Sequence, residues 1–202
     1  MKIILASSSV SRKNILSSLG FSFKVIPNNI DEEEVKKTIK DIPQIVKTLA
    51  LKKAEAVERI VKKKKIKDYL IIGADSLAEI DGIYLDKPKD QNHARKMLLM
   101  SKGRSHRFYS GVAIINSTGK RKTIVGESKV FFNNFTDEQL NDVIDSGIWK
   151  GRAGGYDIKD DKSNLIEKYE GSYTNILGLP VEELEDLLKE FGIKINNTVL
   201  RY

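Results

Sequence analysis

The sequence predicts an α/β fold in which helices flank a mixed β-sheet. Three observations carry that prediction. Apolar runs of strand length open onto polar turns, stretches of helical periodicity are interspersed with them, and two alternating segments are joined by a hairpin signal. The first run is Ile3 to Ala6, read as a buried strand. Ser7-Ser8-Ser9 then offers helix N-caps, and Ile15, Leu16 and Leu19 keep helical spacing until Gly20. Phe21, Phe23 and Val25 alternate as in a second strand, which Pro27-Asn28-Asn29 breaks. Residues 42–61 form the most regular helix, with Ile42, Ile45, Val46, Leu49, Val57 and Ile60 along one face. Tyr69 to Ala74 is continuously apolar, the mark of a strand buried on both faces, and it is read as ending in Asp75. An Asp81-Gly82 turn follows, and a helix fits 90–100. Residues 107–116 and 122–133 read as strands joined through Ser117-Thr118-Gly119-Lys120. Thr136-Asp137-Glu138-Gln139 resembles a capping box opening a helix to about Ser146. The stretch 148–179 is rich in Gly and turn residues, and a last amphipathic helix runs from about Val181 to Phe191.

No composition shift or repeat divides the 202 residues, so one domain over 1–202 is expected. A net charge of +7 favours anionic partners without saying which. Part of that excess is the run Lys62 to Lys65, with Lys67 after it. The run follows an apolar-periodic stretch, so it is read as the electronegative C-terminal end of a helix. No aromatic residues interleave these lysines as a single-strand stacking surface would need, and no stable nucleic-acid complex is expected. The chain has no cysteine, which excludes disulfides, zinc-thiolate sites and thiol nucleophiles. The opening apolar run is too short for a signal-peptide core and no later run could span a bilayer, so no membrane partner and a cytosolic location are expected.

Several residues sit where chemistry would need them. The strand–serine turn–helix unit at the start could cradle a phosphate on backbone N–H groups and hydroxyls, with Arg12 one turn in; serines that simply cap a helix are the alternative. Lys53 falls near the middle of the apolar face of the 42–61 helix, between Leu49 and Val57. A lysine there is costly unless an anion meets its ammonium group or the side chain snorkels to water, and a triphosphate would supply the anion. Asp75 follows the most hydrophobic run, where ligand and catalytic groups of α/β sheets concentrate. There it could act as a base, bind a metal, or merely cap a turn. Asp31 to Glu34 form an acidic cluster, read on its own as solvated loop surface. Lys87-Pro88 could aim a lysine inward from a rigid turn. His93 and His106 lack metal-ligand spacing and are read as structural.

In this order, these pieces resemble the Maf family of nucleotide pyrophosphatases. The matching segments are Leu5-Ala6-Ser7-Ser8-Ser9, Ile30-Asp31-Glu32, Lys53-Ala54, Gly73-Ala74-Asp75, Lys87-Pro88 and Gly103-Arg104-Ser105-His106. Ala153-Gly154-Gly155-Tyr156, Gly171-Ser172 and Gly178-Leu179-Pro180 complete the set. The resemblance implies an elongated, Maf/Ham1-like α/β fold with two lobes around a central cleft. It also implies hydrolysis between the α- and β-phosphates of a nucleoside triphosphate with Mg²⁺ or Mn²⁺. By matching positions, Asp75 and Glu32 would be the catalytic and metal-binding carboxylates. Ser7, Ser9, Arg12, Lys53 and Lys87 would hold phosphates. A homodimer is left open.

Three positions depart from the family pattern. Ser11 stands where the family has arginine, Ser76 follows the catalytic aspartate in place of Thr or Gln, and Lys159 replaces a glutamine. These are positions that separate the family's branches, so a substrate preference unlike the common thymidine/uridine one is expected. A nucleotide-binding regulator of cell division without catalysis is the alternative function; the paired carboxylates and lysines speak against it.

Overall fold

The computed structural model describes residues 1–195. The chain divides into two compact units. The first comprises Met1–Asp75, Ser110–Gly126 and the residues from Ser172 onward; the second comprises Ser76–Tyr109 and Glu127–Gly171. One seven-stranded sheet has the order β2-β1-β3-β5-β6-β7, with β4 pairing β3. Its members are β1 (Lys2–Leu5), β2 (Phe23–Val25), β3 (Tyr69–Ile80), β4 (Ile83–Leu85), β5 (Ser105–Asn116), β6 (Arg121–Phe132) and β7 (Ile166–Gly171). β1 runs parallel to β2 and β3, whereas β4 on β3 and β7 on β6 are antiparallel, so the sheet is mixed as expected.

In the first unit, α1 (Val10–Ser18) and α3 (Ile42–Lys63) form where the 3.6-residue periodicity places them. Asp41 caps α3, Pro43 stands in its first turn where no N–H is required, and Lys62 and Lys63 close it at the electronegative end. The apolar face of α3 lies on the sheet: Ala50, Ala54, Val57 and Val61 pack with Ile4, Ile71, Ala113 and Ile115. The approach is close because two strand positions have no side chain. A Cβ at Gly73 would lie 2.3 Å from the Ala50 carbonyl oxygen, and one at Gly111 would lie 2.3 Å from that of Val46. Either addition would force α3 off the strands.

The second unit holds α4 (Gln91–Ser101) and α5 (Asp137–Ser146). The capping box of α5 forms as read: Thr136 Oγ1 accepts from the Gln139 N–H at 3.2 Å, and the Gln139 side chain accepts from the Thr136 N–H at 2.8 Å.

Three findings differ from the sequence reading. β3 does not end at Asp75 but continues to Ile80, because Leu77, Ala78 and Ile80 keep burying side chains and Ala78 to Ile80 pair with β4. Asp81 and Gly82, with φ of 53° and 78°, make the tight turn between those two strands. The acidic cluster is not loop but the start of α2 (Glu32–Thr38), whose cap Asp31 accepts from the N–H groups of Glu33 and Glu34 at 3.1 and 3.2 Å. Three glutamates in the first turn suit the positive end of a helix. Finally, the turn-rich stretch contains β7 and a short α6 (Tyr173–Ile176) before α7 (Val181–Glu190). β7 escapes pattern reading because it is mostly exposed and carries Glu167, Lys168 and Glu170 instead of an apolar alternation.

Candidate active site

The first unit gathers six of the residues singled out from the sequence. β1 delivers the chain to Ser7, which is buried, and Ser9 caps α1 by accepting from the Arg12 N–H at 3.4 Å. The Ser7 hydroxyl accepts from the Ser9 N–H at 3.3 Å and from Arg12 Nη1 at 3.2 Å. Arg12 Nε donates to the Gly178 carbonyl at 2.8 Å, so the guanidinium is aimed from both sides by neutral oxygens. Burial lowers the Arg12 pKa while Asp75 and Glu32 oppose that shift; an arginine so placed remains a cation.

Lys53 is where the geometry tightens. Its ammonium group lies 2.5 Å from Asp75 Oδ1 and 2.8 Å from Glu32 Oε1. The anion that a lysine on an apolar helix face requires is therefore supplied by the protein itself, from β3 and from the first turn of α2. Gly73 makes the meeting possible. It precedes Asp75 by two residues and so shares its face of β3, letting α3 settle low enough for Lys53 to reach the carboxylate.

Asp75 is 6% exposed, and its Oδ2 is buried with no hydrogen-bond partner. Burial pushes its pKa up; Lys53 and then Arg12 oppose the shift, and Glu32 adds to it. A carboxylate of raised basicity, with one oxygen held by a lysine and the other unmet, suits a group that accepts a proton or meets a cation.

The remaining residues are placed differently. Ser11 lies in the first turn of α1, half-buried. Ser76 follows Asp75 within a strand, so its side chain leaves the opposite face of β3. Ser76, Lys87 and Lys159 all belong to the second unit. Lys87 is exposed ahead of buried Pro88, and its N–H donates to Asp86 Oδ1 at 2.7 Å. Lys159 is exposed, and its N–H donates to Asp157 Oδ1 at 3.0 Å. His106 is structural as read. It is 1% exposed, shares a 2.9 Å hydrogen bond with the Tyr156 hydroxyl and stacks edge-on to Phe132; burial lowers its pKa to about 3.

Sequence reading missed three contributors. Asn28 ties the end of β1 by donating to the Ala6 carbonyl at 2.8 Å. Gly178 belongs to the Gly178-Leu179-Pro180 segment of the resemblance, but the role of its backbone oxygen toward Arg12 has no residue type to announce it. Lys36 had a signal, since it stands one helical turn after Glu32.

The same carboxylates bear on whether a divalent metal could be held here. Among the described residues no cluster of three His, Asp or Glu side chains is arranged to hold one. Magnesium, however, usually takes one or two protein carboxylates and completes its shell with water and phosphate oxygens. Glu32 and Asp75 converge on one ammonium group, and Asp75 Oδ2 awaits a partner, so the donor set fits such an ion. No described helix is long and apolar enough to cross a membrane.

Comparison with known proteins agrees with the resemblance. The family model described as Maf-like protein matches residues 2–191. A dTTP/UTP pyrophosphatase of Caldanaerobacter subterraneus subsp. tengcongensis is 39% identical over 196 residues, covering 96% of this chain and 91% of that one. A dTTP/UTP pyrophosphatase of Pelotomaculum thermopropionicum is 33% identical over 195 residues, covering 96% and 98%. Among solved structures, a HAM1 protein from Coxiella burnetii covers 94% of this chain and 99% of its own at 15% identity, with a TM-score of 0.48.

Proposed function

From the premise that the chain belongs to the Maf-like protein family, we propose that it hydrolyses a nucleoside triphosphate to the monophosphate and pyrophosphate, in the cytosol. The observation that carries this reading is the buried Asp75 carboxylate, held at one oxygen by Lys53 at 2.5 Å and unmet at the other. Lys53 holds Oδ1, so Oδ2 is the oxygen left to take the proton of an attacking water. Burial raises its affinity for a proton. As water oxygen bonds to phosphorus, its proton passes to Asp75 Oδ2, the bridging P–O bond breaks, and pyrophosphate leaves with the electron pair.

Charge develops on phosphoryl oxygens during that step. Arg12, pre-aimed by Ser7 and Gly178, and the N-terminus of α1 under Ser9 are suited to receive it. Lys53 can turn from its carboxylates to a phosphate. Glu32 and Asp75 are the residues that would hold Mg²⁺ or Mn²⁺, which when bound supplies Lewis-acid charge to the water and phosphate. Burying the Asp75 carboxylate beside a lysine is costly for a protein that only binds nucleotide, which favours catalysis over a regulatory role.

Two considerations bear on the base. The relatives' names favour thymidine and uridine triphosphates, whereas Ser11 and Lys159 depart from the family pattern. Lysine can only donate hydrogen bonds and so favours bases that present carbonyl acceptors. Pyrophosphate release measured across canonical and modified triphosphates, with Mg²⁺ or Mn²⁺, tests both the reaction and the preference. The expected result is monophosphate plus pyrophosphate, abolished by EDTA. Orthophosphate with a diphosphate product would overturn the reading.

A further inference from the structure

Glu32 faces two lysines, not one. Its Oε1 meets Lys53, while its Oε2 lies 3.7 Å from the ammonium group of Lys36, one turn further along α2. The Lys36 side chain is 2% exposed, and its ammonium group also lies 3.5 Å from Glu33 Oε1. Such burial rules out a lysine that runs its stem over apolar surface and ends in water. The helix that carries Lys36 is itself held down, by Val35 at 2% exposure and by a 3.7 Å pair between Glu34 and Lys52 of α3.

We propose that Lys36 is a positioning residue for Glu32, holding the carboxylate by its second oxygen when Lys53 leaves the first to meet a phosphate. The inference rests on the pyrophosphatase reading, because only there does Lys53 change partners. In the resting arrangement Glu32 is shared between two cations. Once Lys53 turns away, a carboxylate on a half-exposed side chain would be able to rotate toward water. Lys36 cannot follow it out, since its stem is enclosed, and so it keeps Oε2 in place and with it the direction of Oε1. Lys36 touches neither substrate nor water in this scheme; it acts through Glu32.

The test is a double-mutant cycle on the full chain, with pyrophosphate release as the rate and thermal unfolding as the check on the fold. Thermal unfolding of Lys36→Met shows whether the variant keeps the fold. Its kcat should fall roughly 10-fold at unchanged KM, as expected when an interaction needed only in the transition state is lost. Lys36→Arg should recover most of the rate, because it restores a cation. In a Glu32→Gln background the Lys36→Met change should cost nothing further, since its target is gone. If Lys36→Met does not fold, Lys36→Gln replaces it in the same cycle. An active wild type in which the Lys36 change leaves kcat unaltered, or adds its full cost to Glu32→Gln, would overturn this proposal alone. A wild type that releases no pyrophosphate from any triphosphate would overturn it together with the reading on which it rests.

Discussion

In the first unit a lysine and two carboxylates meet at 2.8 and 2.5 Å, whereas in the second a histidine at 1% exposure stands among the rings of Phe132 and Tyr156 with one neutral hydrogen bond. Burial is nearly the same at Asp75 and His106, and the outcomes are opposite. Where counter-charges are built in on neighbouring elements, an ionisable group can be kept reactive in the interior. Where none is built in, the group is driven to its neutral form and becomes packing material. The pairing, more than the burial, separates a site from a core.

The comparison breaks most sharply at Lys53. Lys53→Met leaves Asp75 buried without its nearest cation and should cost roughly 3 to 5 kcal/mol in urea unfolding near neutral pH. This reverses what a lysine stranded on an apolar face would predict, namely an unchanged or stabilised fold. The sign of the pH dependence follows from Asp75, whose pKa in the folded chain is raised by burial and rises further without Lys53. Stability from such a group is complete below the ordinary carboxylate pKa of about 3.9 and is lost as pH rises through the raised value. The Lys53→Met deficit should therefore be largest at neutral pH and shrink on acidification. A deficit that is absent, or that grows with acid, would mean that Lys53 is not what balances Asp75.

Removing the carboxylate charge while keeping its shape is the next largest change. Asp75→Asn should lower pyrophosphate release by roughly 100-fold, about 2.7 kcal/mol in activation free energy, with the fold intact. Lys53 keeps Glu32 in that variant, so no buried cation is stranded. Near-normal turnover in a folded Asp75→Asn protein would remove this residue from the chemistry.

His106 gives the smaller effect and sharpens the other side of the comparison. Its folded pKa of about 3 lies below the ordinary 6.5, so the stability it confers is complete above that ordinary value and is lost as pH falls toward 3. The expected slope is about 1.4 kcal/mol per pH unit. His106→Gln keeps a hydrogen-bonding end for Tyr156 but cannot take up a proton. Against wild type it should flatten acid unfolding by about that slope, even if it adds a constant offset. Parallel curves for the two proteins would show that His106 already carries a proton in the fold.

What could be read in advance follows the same division. α3 and its lysine were legible because a 3.6-residue stripe is a local pattern and a charge within it stands out. The need for an anion near Lys53 was visible; its source was not, because Asp75 arrives from a strand 22 residues on and Glu32 from a helix with one buried apolar residue, Val35. Asp75 was found through an apolar run that proved to be the first half of a longer strand. Gly178 stands in a segment that the resemblance marks, but what its carbonyl does for Arg12 was not legible, because a backbone oxygen has no residue type to recognise.

The discontinuous make-up of the first unit has a consequence for the chain during its synthesis. The contact that aims Arg12 joins residues 166 apart, from the first segment of that unit to its last. At roughly 5 to 20 residues per second, a ribosome needs on the order of ten seconds or more to make the second partner after the first. For that interval the nascent chain displays β1, α1 and α3 with no Ser172-onward segment to complete them. The arginine lacks its Gly178 partner until residue 178 has been made, so the site is assembled only after most of the residues that carry it.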